Sequence, residues 1–205
     1  MFIVDTVVLL YFLLTGQEDL LIRLLGSPLR VPFVVYDPDE PDVSEALQVR
    51  VDLLSEIRQS IHHYETRSAT DELSRKRRDR VRRVDELHRK GLIEPIRLTP
   101  RELSLTADLQ RRDRATMYKI STPLGPGESA CIAIAHCRGW TIATDDNDAL
   151  TALSEINSGQ SFPYTRIRAL LIRATNERLI TPDKANRIHR EMRTAGFWDA
   201  GLCLS

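Results

Sequence analysis

The segment GPGESACIAIAHCRGWTIATDDNDA, residues 125–149, constrains the fold of this chain more than any other. Between its charged ends almost every residue is small and apolar. ESACIAIAHCRG reads as a helix with Gly139 just past its end, and WTIAT reads as a strand. A buried helix–strand unit of this kind belongs in a layered α/β domain. Carboxylates stand at both of its ends: Glu128 opens the helix, and Asp145, Asp146 and Asp148 follow the strand.

The rest of the chain supplies further alternating elements. MFIV is a short strand, followed by Asp5, with Thr6 as cap of the helix VVLLYFLL. QEDLLIRLL continues helically and stops at Gly26. LRVPFVVY, ending at Tyr36, predicts a second strand, which DPDEP then breaks. From Val43 to Lys90 the pattern is helical, opened by Asp42 and Glu45 in capping-box spacing, with Leu47, Val51, Leu54, Ile57 and Ile61 at helical intervals. A second helix over 70–90 carries Leu73, Val81, Val84 and Leu87. LIEPIRLT adds a third strand or an extended connection. Thr99, Pro100 and Glu102 start another helix. DDNDALTALSEI turns into a further one, and PYTRIRALLIRATNERLI and TPDKANRIHREMRTAG read as two more. The expectation is a single domain over 1–205: a parallel sheet with helices on both faces, and residues 43–90 as an inserted helical hairpin or arm.

Composition excludes several classes of function. The formal net charge is zero, with 29 basic and 29 acidic residues, so no overall field draws the chain to nucleic acid or membrane. The opening MFIVDTVVLLYFLLTG lacks the basic start of a signal peptide, is interrupted by Asp5, and falls short of the ~20 residues needed to span a bilayer. It reads as a buried strand entering a helix. Cys131, Cys137 and Cys203 have no framework or zinc spacing, which fits reduced thiols in a cytoplasm.

Parallel strands bring Asp5, Asp37 and Asp39, and Asp145, Asp146 and Asp148 to one sheet edge, the edge where open α/β sheets bind ligands. Glu128 starts a helix beside it. Each acid has an ordinary explanation alone, since Asp5 suits a helix cap and Glu128 suits a helix N-terminus. Together they form a cluster in which two carboxylates ~4 Å apart repel by roughly 4 kcal/mol at a surface-like dielectric. Such a cluster protonates, spreads or holds a cation, and hard oxygen donors without His or Cys suit Mg²⁺ or Mn²⁺.

FIVDT, GPGESACIAIAHCRG and WTIATDDNDA, in that order, resemble the PIN-domain nucleases, including the toxin ribonucleases of type II toxin–antitoxin pairs. Asp5, Thr6, Glu128, Thr144, Asp145 and Asp146 fall on the family's pattern, and Asp148 on a further acid of some members. The closing ERLITPDKANRIHREMRTAGFWDAGL is similar to the C-terminal helices of one subgroup. The likeness spans residues 1–36 and 123 to about 200. It implies a three-layer α/β/α sandwich around a central parallel sheet, dependence on Mg²⁺ or Mn²⁺, and cleavage of single-stranded RNA by metal-activated water. By the resemblance, Asp5, Glu128, Asp145 and Asp146 are catalytic; these four with Asp148 and Asp37 hold the metal; Thr6 and Thr144 steady the carboxylates. Asp37 is the choice for an acid the family carries after its second strand, with Asp39 and Glu40 behind it. A cognate antitoxin or regulatory protein is the implied partner, and a homodimer is compatible with the pattern.

Within the basic run SRKRRDRVRRVDELHRK, Arg77, Arg78 and Arg82 are the candidates for contact with single-stranded or structured RNA. A solvated helix face and the docking of an acidic partner are the competing readings. His62, His63 and His88 read as surface residues, Trp140 and Trp198 as packing residues. A PIN scaffold that binds RNA or protein without cleaving is the alternative function. A haloacid-dehalogenase phosphotransferase is disfavoured, because Thr6 and Val7 follow Asp5 where that chemistry wants a second Asp.

Overall fold

The computed structural model describes residues 1–40, 51–68, 71–199 and 201–204. Asp42, Glu45 and Leu47, expected to open the long helical stretch, lie outside them. The described chain is a mixed α/β protein, mostly helical, with a small parallel sheet of three strands: β1 (Phe2–Val4), β4 (Thr141–Ala143) and β5 (Tyr164–Thr165), in the order β1-β4-β5. A parallel pair, β2 (Leu29–Pro32) and β3 (Ile93–Ile96), lies alongside β1.

Side chains alternate along a strand, and here the alternation feeds two cores. Val4 and Ala143 enter one, with α1 (Thr6–Leu14), α2 (Glu18–Leu25), α8 (Ile167–Asn176) and α9 (Pro182–Thr194). Ile3 and Ile142 enter the other, with α5 (Pro100–Leu109), α6 (Pro126–Arg138) and α7 (Asn147–Ile156). α6 is buried along most of its length, as the small apolar run from Ala130 to Ala135 requires. Gly139 ends it at φ 67°, a left-handed conformation that glycine adopts without penalty.

α3 (Glu56–Ser68) and α4 (Glu72–Arg89) form a helical hairpin whose Ile57, Ile61, Val81, Val84 and Leu87 share the first core with Val8 and Phe12 of α1. Arg58, 6 % exposed, forks onto both oxygens of Asp85 at 2.9 and 2.8 Å, and the Tyr36 hydroxyl donates to the same carboxylate. This network fixes both hairpin helices to the chain leaving β2.

Four expectations need adjusting. The second strand stops at Pro32 rather than running to Tyr36, because Val35 N and Tyr36 N turn back to the Pro32 carbonyl. The described helix α3 begins only at Glu56, since Glu40 holds Ser55 N and Oγ, each at 2.7 Å, and Ser55 O accepts from Gln59 N to begin the helix there. Tyr164 and Thr165, read as part of a helix, instead extend the sheet by pairing with Ile142 and Ala143. Trp198 does not pack: it is 96 % exposed. No helix of the described residues is long and apolar enough to cross a membrane.

Candidate active site

β1 and β4 pair through Val4 and Ala143, so the next residues, Asp5 and Thr144, emerge side by side at the carboxyl edge. Asp5 N donates to Ala143 O. The Asp5 carboxylate caps α1, with Oδ1 accepting from Thr6 N at 2.7 Å and Oδ2 from the Thr144 hydroxyl at 2.9 Å. Thr144 Oγ1 in turn accepts from Asp146 N.

Asp5 is 1 % exposed. Burial pushes its pKa up to about 7, and the charges of Glu128 and Glu56 add to the rise, while the bonds from Thr144 and Thr6 oppose it. Glu128, half-buried at the start of α6, is also pushed up, by burial and then by Asp146, with Glu56 and Asp148 adding. Its Oε2 accepts from Gly125 N at 3.0 Å. The buried thiol of Cys131, one helical turn below Glu128, is raised by burial and by the charges of Asp5, Glu56 and Glu128. The three carboxylates therefore converge on one region.

Glu56 is the acid the sequence reading missed. The start of α3 docks on the chain after β2, with Glu56 N donating to Val34 O and Ile57 N to Val35 O. This delivers the Glu56 carboxylate to the edge of β1, where it accepts from the Thr6 hydroxyl and, at 2.8 Å, from Gly127 N of α6. Asp37 lines a hollow beside Glu56, together with Glu40 and Asp52, but its Oδ1 accepts from Asp39 N in a local turn. Ser55 followed by an acid and by Ile57 and Ile61 was the available signal for a helix start. The expectation of one helix running on from Val43 hid it.

The other acids divide. Asp146 caps α7, accepting from Ala149 N at 2.6 Å, and its charge acts on Glu128. Asp148 accepts from the Ser121 hydroxyl and faces the same side. Asp145 turns away: its Oδ2 accepts from Ile167 N at the start of α8. Burial raises its pKa, partly offset by Arg166 and His189. Asp145→Ala should thus cost about 1 kcal/mol of stability through the lost cap and leave any activity of the Asp5 region unchanged. A melt and an activity assay on one preparation check both.

Four carboxylates, Asp5, Glu56, Glu128 and Asp146, thus face one edge, and none forms an ion pair among the described residues. As they stand, no three His, Cys, Asp or Glu side chains of the described residues are grouped closely enough to hold a metal ion. Each carboxylate instead rests on a backbone N–H, which spaces the charges. A groove of about 550 Å³ leads away from Thr6 and Glu56 along α3, past Gln59, Ser60, His63 and Tyr64.

The basic run on α4 is largely spent internally. Arg78 pairs with Asp79, Arg82 with Glu65 on α3, and Arg83 with the buried Glu18 on α2. Arg77 donates to Thr194 O at the end of α9, and Arg80 to Leu14 O at the end of α1. Comparison of the chain with family models, with curated proteins and with solved structures finds no match.

Proposed function

We propose that this chain is a metal-dependent endoribonuclease of PIN type, acting on single-stranded RNA at the edge formed by Asp5, Glu56, Glu128 and Asp146. The observation that carries the reading is Asp5: a buried carboxylate with no cationic side chain beside it among the described residues, its pKa raised further by two more carboxylates. All donors are hard oxygens, a set that fits Mg²⁺ or Mn²⁺. The two cores fed by alternate residues of β1 and β4, with β2 alongside β1, support reading both sheets as the centre of an α/β/α sandwich.

Asp5 and Asp146 are the proposed direct ligands, with Glu56 closing the set from α3. A divalent ion bound there would supply Lewis acidity toward a phosphoryl oxygen and lower the pKa of nearby water. The Thr144 hydroxyl orients Asp5 by holding Oδ2. Glu128 keeps Oε2 on Gly125 N, so Oε1 is left to accept the proton of the attacking water. Water oxygen bonds to phosphorus in line, the bond to the 3′ oxygen breaks, and that oxygen takes a proton from solvent to leave as a hydroxyl, while Glu128 releases the proton it accepted to solvent. The products are a 5′ phosphate and a 3′ hydroxyl. By the same resemblance, a cognate antitoxin or regulatory protein is the proposed protein partner.

One observation favours a second reading, an RNA-binding scaffold without cleavage: the carboxylates as they stand are not grouped for a metal. Calorimetric titration with Mn²⁺, alongside cleavage of varied single-stranded RNAs, separates the two. The nuclease reading expects saturable Mn²⁺ binding and 5′-phosphorylated products that chelator abolishes. Absence of both leaves the scaffold, and 2′,3′-cyclic products in excess chelator rule out the mechanism.

A further inference from the structure

The cations of α4 mostly have carboxylate or carbonyl partners, whereas the arginines of α9 have no carboxylate partner among the described residues. Arg187, Arg190 and Arg193 are exposed and form no ion pair among the described residues. They recur every third residue, so the row rises about 9 Å along the helix from first to last. Arg187 and Arg190 line a groove of about 440 Å³ between α9 and α4, opposite Lys76, Arg77 and Arg80, with Glu191 its one carboxylate. Arg190 and Thr194 also line the next hollow, where Arg193 stands beside Trp198. The indole is 96 % exposed, an unusual position for the residue that loses most by facing water.

The two hollows share Arg190 and Thr194 as a wall, while the groove along α3 has no lining residue in common with either. Tyr64 lines the α3 groove, and the Arg77 charge is close enough to offset part of the rise that burial imposes on the Tyr64 hydroxyl. Arg77 then bridges to α9 through Thr194 O at 3.1 Å. Polar and then cationic side chains thus follow one another from Thr6 and Glu56, by Tyr64 and Arg77, to Arg190 and Trp198, in three separate hollows.

We propose that this strip is the track for a single-stranded nucleic acid, with Arg187, Arg190 and Arg193 on its phosphates and Trp198 stacked on a base some way from the carboxylate edge. The inference rests on the nuclease reading for its choice of occupant. Two features favour a nucleic acid over an acidic protein: an exposed aromatic face beside guanidinium groups, the usual stacking platform, and the succession of side chains that leads to it from the carboxylate edge. The substrate is then a strand several nucleotides long rather than a dinucleotide, because cleavage and anchoring sit at opposite ends of the path.

The test is fluorescence anisotropy, in chelator, with a labelled single-stranded RNA of about 20 nucleotides, longer than typical single-strand site sizes. Arg187→Ala with Arg190→Ala should weaken binding at least tenfold and lower the salt slope by about 1.4, at ~0.7 per lost phosphate contact. Trp198→Ala should weaken binding about tenfold with the salt slope unchanged, the mark of a stacking contact. All three side chains are exposed, so circular dichroism should show the fold unaltered. Wild-type affinity in both variants overturns the track and leaves the face to an acidic protein, and so does absence of RNA binding by the wild type. Binding that depends on these residues, without cleavage in Mn²⁺, keeps the track and removes the nuclease reading. Mn²⁺-dependent cleavage with binding indifferent to them does the reverse.

Discussion

Asp5→Asn is expected to abolish the proposed RNA cleavage, by about 10³-fold or more, and at pH 8 in chelator to raise the melting temperature. The first effect follows from removing the charge of the most buried member of a carboxylate set while keeping its size. The second follows from the direction of its titration. Asp5 ionises near 3.8 in the unfolded chain and near 7 in the folded one, so the folded state binds the proton more tightly. Its contribution to stability is complete below about pH 4 and is lost as the pH rises through 7. Above that, an ionised Asp5 costs the cation-free protein roughly 4 kcal/mol. Asn avoids this cost but gives up one acceptor, worth about 1 kcal/mol. The net gain is about 1–3 kcal/mol, several degrees for a chain of this size. Melting curves of both proteins from pH 4 to 8 should coincide most nearly at the acid end and diverge as the pH rises. A variant that melts lower than wild type at pH 8, or cleaves at the wild-type rate, defeats the account of Asp5.

Gly127→Ala is expected to separate activity from stability. A Cβ at Gly127 would overlap Glu56 Oε2, lie 2.8 Å from Glu56 Cδ and reach within 2.9 Å of the Thr6 hydroxyl. The obstructing atoms belong mainly to the end of a long side chain, so Glu56 swings aside and the helix stays. Alanine is the better helix former by about 1 kcal/mol, which offsets the local crowding and keeps the net stability change within about 1 kcal/mol. Glu56, however, loses its bond to Gly127 N and its place beside Asp5. Displacement of a reacting group by an ångström costs on the order of 10²-fold in rate, and Mn²⁺ affinity should fall alongside. Shortening the acid in the same background, with Glu56→Asp, relieves the overlap and should recover part of the Mn²⁺ affinity. Full activity in Gly127→Ala would mean that Glu56 takes no part in the site.

The elements nearest the carboxylate edge were legible because their signals are local. Gly125, Pro126, Glu128 and Gly139 mark both ends of α6, and the apolar runs of β1 and β4 need no partner to be recognised. Glu56 was not legible, since its role depends on where α3 begins. That start is set by Glu40 gripping Ser55 and by the carbonyls of Val34 and Val35, contacts between segments distant in sequence. Asp145 and Asp146 look interchangeable as neighbours in DDND. In the structure one carboxylate meets the start of α8 and the other the start of α7, a division made by chain direction after β4 and invisible in composition. The basic run misled for a related reason: charge density shows in the sequence, but Glu65 and Glu18, which neutralise Arg82 and Arg83, arrive only once the hairpin has folded.

Three of the four clustered acids belong to the β1–α6–β4–α7 framework, and the fourth is brought in by the hairpin through Glu56. The Glu56 carboxylate is thus also a mechanical latch, joining α3 to Thr6 on α1 and Gly127 on α6. Any ligand that recruits this carboxylate is thermodynamically coupled to the seating of the whole hairpin. The coupling would run equally in both directions: a cation that recruits Glu56 would tighten the hairpin, and a partner that pries the hairpin loose would weaken the edge for cations without touching it.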